Sequence, residues 1–276
     1  MKIDYPKEVY KYRDWTNEYH QNILKKNEVF LSSPKDFNDP FDCRITPNFS
    51  VLNSDEKIEE FVNYLFKRHQ GSVDMTAEEK EKVYHERIKE LKTNLDGFQQ
   101  RADKMSIDMQ NDVFGILSLS CIWDNLLMWS HYGNNHKGFC VGFHEEVLRK
   151  SDLFGSGGKV IYDEKFPEIS PMQELNETDE ERAQRYYQMS HFKAMDWSYE
   201  KEYRLMKTYP KRWVTNDERK VVVPDEAYLD ITLGCEFPKE QISEVQSIAE
   251  EKKIPLYQGT KVPFEFKLER TPIYLP

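Results

Sequence analysis

Apolar and polar positions alternate with period two over residues 8–13 (EVYKYR), the spacing of a first strand, and residues 16–27 then follow the rhythm of a short helix. Val29 to Ser32 reads as a second strand. It runs into Ser33-Pro34-Lys35-Asp36-Phe37-Asn38-Asp39-Pro40-Phe41-Asp42, where two prolines and three aspartates predict a structured loop. Beyond Ser54-Asp55-Glu56, the spacing of Ile58, Phe61, Val62 and Leu65 predicts an amphipathic helix. Thr76 with Glu79 forms a capping-box pattern that opens a second helix reaching about residue 103. These two helices make a charged helical insertion over residues 54–105. The apolar run Phe114 to Ile122 predicts a central strand, Asn125 to His131 a helix, and Phe139 to Phe143 extended chain. Glycines at 155, 157 and 158 predict a turn before a hairpin strand at residues 160–162. Thr178 and Glu181 repeat the capping box and open a helix to about Met195. Strands are predicted over residues 203–207, 220–223 and 229–233, a helix over 238–253, and closing strands near 256–257 and 265–268. Strands and helices without a regular βαβ rhythm point to an α+β fold. Residues 1–276 are expected to form a single domain, with a central mixed or antiparallel sheet flanked by helices.

Composition narrows the classes. The 276 residues are 38% hydrophobic and 13% aromatic, with 16 Tyr and 16 Phe, so ring packing must fill much of a real core. No apolar run approaches the roughly 18 residues of a membrane span. The amino-terminal MKIDYPKEVYKYRDW lacks the apolar segment of a secretory signal, which makes the cytoplasm the expected location. Cys43, Cys121, Cys140 and Cys235 stand far apart, as reduced thiols do. No paired spacing or HExxH motif suggests a metal, and none is expected. A net charge of −10 repels nucleic acid over most of the surface, although a local basic patch can override that average.

Four places carry candidate chemistry. The tract Leu126 to Phe143 packs Trp129, His131, Tyr132, Asn134, Asn135, His136 and Lys137 between two apolar segments, with Gly133 and Gly138 freeing the backbone. It is either a ligand site or a well-bonded turn. In Trp197 to Arg204, extended chain would align Glu200, Glu202 and Arg204 on one face. Two neighbouring carboxylates raise each other's pKa while Arg204 holds one ionised, which suits acid–base work or a ribose hydroxyl; the alternative is an exposed strand with cross-strand ion pairs. Along Tyr10-Lys11-Tyr12-Arg13, alternation sets Lys11 and Arg13 on one face and the rings on the other. The cations suit a phosphate, or Arg13 neutralises one of the acids. In the Phe37 to Asp42 loop, Asn38, Asp39 and Asp42 offer oxygen ligands, but Asn-Asp-Pro more often builds an Asx turn.

Taken in order, Tyr10-Lys11-Tyr12-Arg13, Leu31-Ser32-Ser33-Pro34, Phe37 to Asp42, Met128 to Tyr132, His136 to Phe139, and Trp197 with Glu200 to Arg204 resemble the bacterial domain-of-unknown-function family 2971. Members occur among bacterial defence and abortive-infection genes. The resemblance therefore implies a toxin-like phage-defence effector with an antitoxin or other defence-system partner. A second similarity is to ADP-ribosyltransferases, in the order of a basic first strand, a helix, a strand leading to hydroxyl residues, and a late Glu-x-Glu. That similarity implies NAD as co-substrate and an acceptor that is a protein or a nucleic acid. Lys11 or Arg13 would grip NAD, Ser32 and Ser33 would line the site, Glu202 or Glu200 would be the late acid, and Tyr12, Trp129 or Tyr132 would stack on nicotinamide. The family's usual first-strand His is missing. The rival readings are a non-catalytic ligand-sensing or protein-interaction module, a hydrolase with His131 as base oriented by Glu200 or Asp42, and a nuclease.

Overall fold

A computed structural model describes residues 4–68, 75–175, 177–210 and 213–276. In chain order the first elements are β1 (Glu8–Arg13), α1 (Glu18–Lys25), β2 (Glu28–Phe30), α2 (Asp55–Arg68), α3 (Ala77–Thr93) and α4 (Leu95–Val113). Next come β3 (Phe114–Ser120), α5 (Leu126–His131), β4 (Phe139–His144), α6 (Glu145–Lys150), β5 (Ser156–Lys159), β6 (Ile161–Asp163) and α7 (Asp179–Ser190). The chain closes with β7 (Phe192–Ala194), β8 (Glu202–Thr208), β9 (Lys220–Val222), β10 (Tyr228–Leu233), α8 (Ile242–Lys252), β11 (Leu256–Lys261) and β12 (Leu268–Tyr274). The fold is mixed α and β, built on an eight-stranded sheet of order β12-β11-β10-β4-β1-β3-β8-β5. Its pairings are antiparallel except β10 with β11, which α8 joins in parallel. That exception makes the sheet mixed.

Local chemistry sets many element ends. The capping boxes of Thr76 with Glu79 and Thr178 with Glu181 both form, and Asn125 accepts from the amides of Leu127 and Met128 to start α5. The single helix expected to reach residue 103 is two helices. Asn94 ends α3, and its side chain accepts from the Gly97 amide at 3.2 Å to start the next. The predicted glycine turn is instead strand β5. Gly157 lies under β8, where a Cβ would come within 2.6 Å of Leu205 and 2.9 Å of the Tyr203 hydroxyl, so the residue is glycine because a neighbouring strand needs the room. The helix expected to run to Met195 ends at Ser190. Met195–Glu200 coil into a short 3-10 turn and Lys201 takes φ 45°, so only Glu202 onward is extended.

Contact density divides the chain into two compact units. The first comprises Met1–Asn38, Asn111–Glu164 and Lys193–Pro276 and carries the large sheet. Residues directly opposed in an antiparallel ladder project to the same face. One face, with Val9, Leu117, Leu119, Val141, Phe143, Tyr203, Leu205 and Ile231, packs with residues of α1, α6 and α8 into the main core. On the other face Tyr10, Tyr12 and Cys140 cluster with Met128 and Trp129 of α5. By register, Ser118, Ser120, Glu202 and Arg204 continue that second face. The second unit, Asp39–Gln110 with Lys165–Phe192, is mainly helical. Its core is Phe49, Leu52, Ile58, Phe61, Val62, Leu91 and Phe98. Among the described residues no helix is long and apolar enough to cross a membrane.

One irregularity of the sheet bears on function. β1 pairs with β4 along its whole length but meets β3 at a single register pair, Tyr10 with Ser120. Further along β3, at Ile116, the edge is taken by Ser32 through two hydrogen bonds of 2.9 Å. Among the described residues, the second half of β1, bearing Lys11 and Arg13, thus has no strand partner on that side.

Candidate functional site

Lys11 fills part of this opening. Its ammonium donates to the carbonyl of Ser118, and burial, followed by the neighbouring Arg13 charge, pushes its pKa well down against the pull of Glu202 and Glu200. Arg13 is half-buried, and its guanidinium makes no hydrogen bond or ion pair among the described residues. Burial lowers it to about 10. His20 of α1 joins the two cations: burial, then Arg13, bring it down to about 4, and its Nδ1 accepts from the Asp14 amide at 3.3 Å. The expected separation holds in part. Strand register puts Tyr10 and Tyr12 on the face of Glu202 and Arg204, whereas Lys11 and Arg13 leave β1 with the opposite parity, yet the Lys11 charge is felt at both acids.

The acids form a closed network. Glu200, Glu202 and Arg204 are 3%, 5% and 0% exposed, which rules out the exposed-strand alternative. Glu200 does not lie on the strand with Glu202. The 3-10 turn carries it, and the two carboxylates are drawn together by Lys193, which donates to Glu200 at 2.6 Å and to Glu202 at 3.3 Å. Arg204 clasps Glu202 through bonds of 2.8 and 2.9 Å, lies 5.4 Å from the Phe37 ring centroid, and is joined at Glu202 by Ser118. Tyr162 accepts the Glu202 amide at 2.8 Å, and Lys193 lies 4.8 Å from the centroid of Trp197.

Two glutamates two residues apart therefore meet different environments. Burial, then Glu202, raise Glu200 against Lys193 and Tyr132. Burial also pushes Glu202 up, but Arg204 and Lys193 outweigh it and hold that carboxyl well below its ordinary range. Glu202 is therefore held as the anion, and Glu200 keeps its proton more readily than an ordinary carboxyl does.

Tyr132 links this network to the surface. Its hydroxyl donates to Glu200 at 2.6 Å and accepts from exposed Asn38 at 3.4 Å. Burial and Glu200 raise the phenol far above its usual pKa. Beside it, exposed His131 hydrogen-bonds Tyr199 at 3.0 Å, and among the described residues Glu200 does not hydrogen-bond it as the hydrolase reading requires.

The rest of the dense tract builds structure. Trp129 is 0% exposed, its Nε1 donates to the Trp123 carbonyl at 2.8 Å, and its ring meets buried Tyr12 edge-on at 5.1 Å. Neither ring is open to a ligand; Tyr132, half-buried, is the reachable one of the three proposed to stack. Asn134, Asn135 and His136 all take positive φ, and a Cβ on Gly138 would lie 2.1 Å from the Arg13 carbonyl. Asn134 donates to Asp14 at 2.9 Å, and exposed Lys137 lies near Glu236. Ser33 is buried and donates to the Asn111 carbonyl at 2.7 Å, while Ser32 contributes its backbone to the bridge. The Asp39 side chain accepts from the Phe41 amide at 2.9 Å, the Asx turn of the sequence reading. Among the described residues, no three His, Cys, Asp or Glu side chains gather as metal ligands.

Sequence reasoning missed Lys193, Ser118, Tyr162, Tyr199 and His20. Lys193 falls inside what reads as continuous helix, so nothing local marks it. The others become visible only through strand pairing and helix docking.

A family model described as a protein of unknown function, DUF2971, matches residues 128–205. That stretch includes Tyr132, Lys193, Glu200, Glu202 and Arg204. No curated protein and no solved structure matches the chain.

Proposed function

We propose that the opening beside β1 binds the diphosphate and ribose of NAD, and that the chain transfers ADP-ribose to a protein or nucleic-acid acceptor as a toxin-like effector. The observations that carry this reading are Arg13, a half-buried guanidinium with no partner among the described residues, and two acids of opposite proton behaviour that share Lys193, with Lys11 within electrostatic reach of all three. A half-buried cation left unpaired is costly, and a phosphate would satisfy it through two parallel hydrogen bonds. In the transfer, the bond from ribose C1′ to the nicotinamide nitrogen breaks, its electron pair leaves with nicotinamide, and the acceptor's nucleophilic atom bonds to C1′. Glu202, permanently anionic, steadies the positive charge on the sugar, and Glu200, with its raised pKa, takes the acceptor's proton. Tyr132 offers the ring face and holds Glu200 in place.

The second reading is a ligand-sensing module without chemistry, belonging to the defence-system setting that the sequence resemblance implies. It is favoured by the saturation of the acids: Arg204 and Lys193 occupy Glu202, and Tyr132 and Lys193 occupy Glu200. Mass spectrometry of free nicotinamide and of modified protein and nucleic acid separates the two. Transfer predicts that the wild-type chain releases nicotinamide and that Glu202→Gln slows release by about a hundredfold or more. NAD binding that weakens in Arg13→Gln but yields no product in the wild type would leave the sensing module. A chain that neither binds nor consumes NAD removes both NAD-based readings.

A further inference from the structure

The helical unit has a cavity that the sheet chemistry does not use. It encloses about 800 Å³ beside α2, α3 and α4, within the size range of small-molecule pockets. Its walls are the rings of Phe49, Phe61, Phe66 and Phe98 with Leu65, Val83 and Met105. Met105 is 70% exposed, so apolar surface stands open at the entrance. The contributing residues on α3, 80, 83 and 87, and on α4, 98, 101, 102 and 105, recur at helical spacing, so each helix turns one continuous stripe toward the cavity.

The charge of that stripe is selective. The chain as a whole carries −10, and α3 contains Glu78, Glu79, Glu81, Glu86 and Glu90. Yet the polar residues lining the cavity are Lys80, Arg87 and Arg101, with no acid among them. Glu90 is shared by two of these: Arg87 donates to it at 2.8 Å and Arg101 reaches its other oxygen. One carboxylate thus serves two of the three cations, and the Lys80 ammonium makes no hydrogen bond or ion pair among the described residues. An aromatic chamber whose three rim cations are offset by one carboxylate is complementary to a molecule with a long apolar body and one anionic head.

We propose that this cavity binds a long-chain carboxylate of the fatty-acid class, with its tail among the phenylalanines and its head at Lys80 and Arg101. The proposal does not depend on the NAD reading, because the residues and the probe are different. Calorimetric titration of the full chain with oleate, below its micelle-forming concentration, tests it against oleyl alcohol, which has the same tail without the charge. Oleate is expected to bind one saturable site and the alcohol to bind roughly tenfold more weakly. The double substitution Lys80→Gln with Arg101→Gln should weaken oleate by about tenfold and leave the alcohol unchanged, with helix content preserved by circular dichroism. Ala102→Trp, which fills the chamber, should abolish both. Absence of saturable oleate uptake, equal affinity for acid and alcohol, or full oleate affinity in the double variant overturns the proposal. So does a dimer in sedimentation that oleate does not disturb, since the cavity would then seat a second copy of the chain.

Discussion

Two clusters of shared charges, one on the sheet and one on the helices, show what burial does to the same pairing chemistry. On the sheet, Lys193 sits between Glu200 and Glu202, each no more than 5% exposed. On the helices, Glu90 sits between Arg87 and Arg101, and the arginine side chains are 38% and 57% exposed. Water screens the helical cluster, so its pairing is worth little and its cations stay available. The sheet cluster has no such screening. There, proximity to Arg204 separates the proton affinities of two neighbouring acids, and each charge depends on its partners.

The contrast is sharpest when one partner is deleted. Arg204→Ala leaves Glu202 buried without its main counter-charge and should cost about 3–5 kcal/mol in urea denaturation. Arg101→Ala, on the helices, should cost less than about 1 kcal/mol. Equal losses would mean that the two clusters are equally screened.

A smaller effect is the opposed pH dependence of the two acids. Glu202 is held below its ordinary value of 4.5, so its contribution is present above that pH and is lost as pH falls toward its folded value. Glu200 is raised, so its contribution is complete below 4.5 and is lost as pH climbs through its folded value. Stability measured against pH should therefore show a flatter acid limb in Glu202→Gln and a flatter decline on the rising side in Glu200→Gln. Identical profiles for the two variants would break the assignment of fixed anion and proton carrier.

Among the variants of the sheet network, the smallest expected effect is that of Tyr132→Phe. It removes one hydrogen bond to a charged acceptor, worth about 1.5–3 kcal/mol at most, and the support that lowers Glu200. Its carboxyl resonance should titrate at higher pH by NMR. An unmoved titration would cut Tyr132 out of the network.

Particular residues show how much of this could be read beforehand. The capping boxes at Thr76 and Thr178 formed as read because their partners lie three residues away, and the alternation of residues 8–13 gave β1 at its predicted bounds. The Asx turn at Asp39 is likewise local. Glu200, Glu202 and Arg204 were picked out correctly as neighbours, but through the wrong backbone, because the 3-10 turn at Met195–Glu200 replaces extended chain. Trp129 was conspicuous for its chemistry and proved to be core. Gly157, taken for a turn, is set by Tyr203 and Leu205 across the sheet, and no window of sequence around it contains them.

The sequence by itself determined the period of each element, the caps that start the helices, and the unusual stretches that hold cations, rings and acids, since these depend on residues a turn or two apart. Only the tertiary structure decided that β1 leaves β3 after one pair, that Lys193 joins the two glutamates, and that Lys80, Arg87 and Arg101 line one cavity. Those outcomes depend on which side chains lose water together. Segments outside any one local window, β1 and β3 more than a hundred residues apart among them, settle that jointly, through burial that none of them encodes alone.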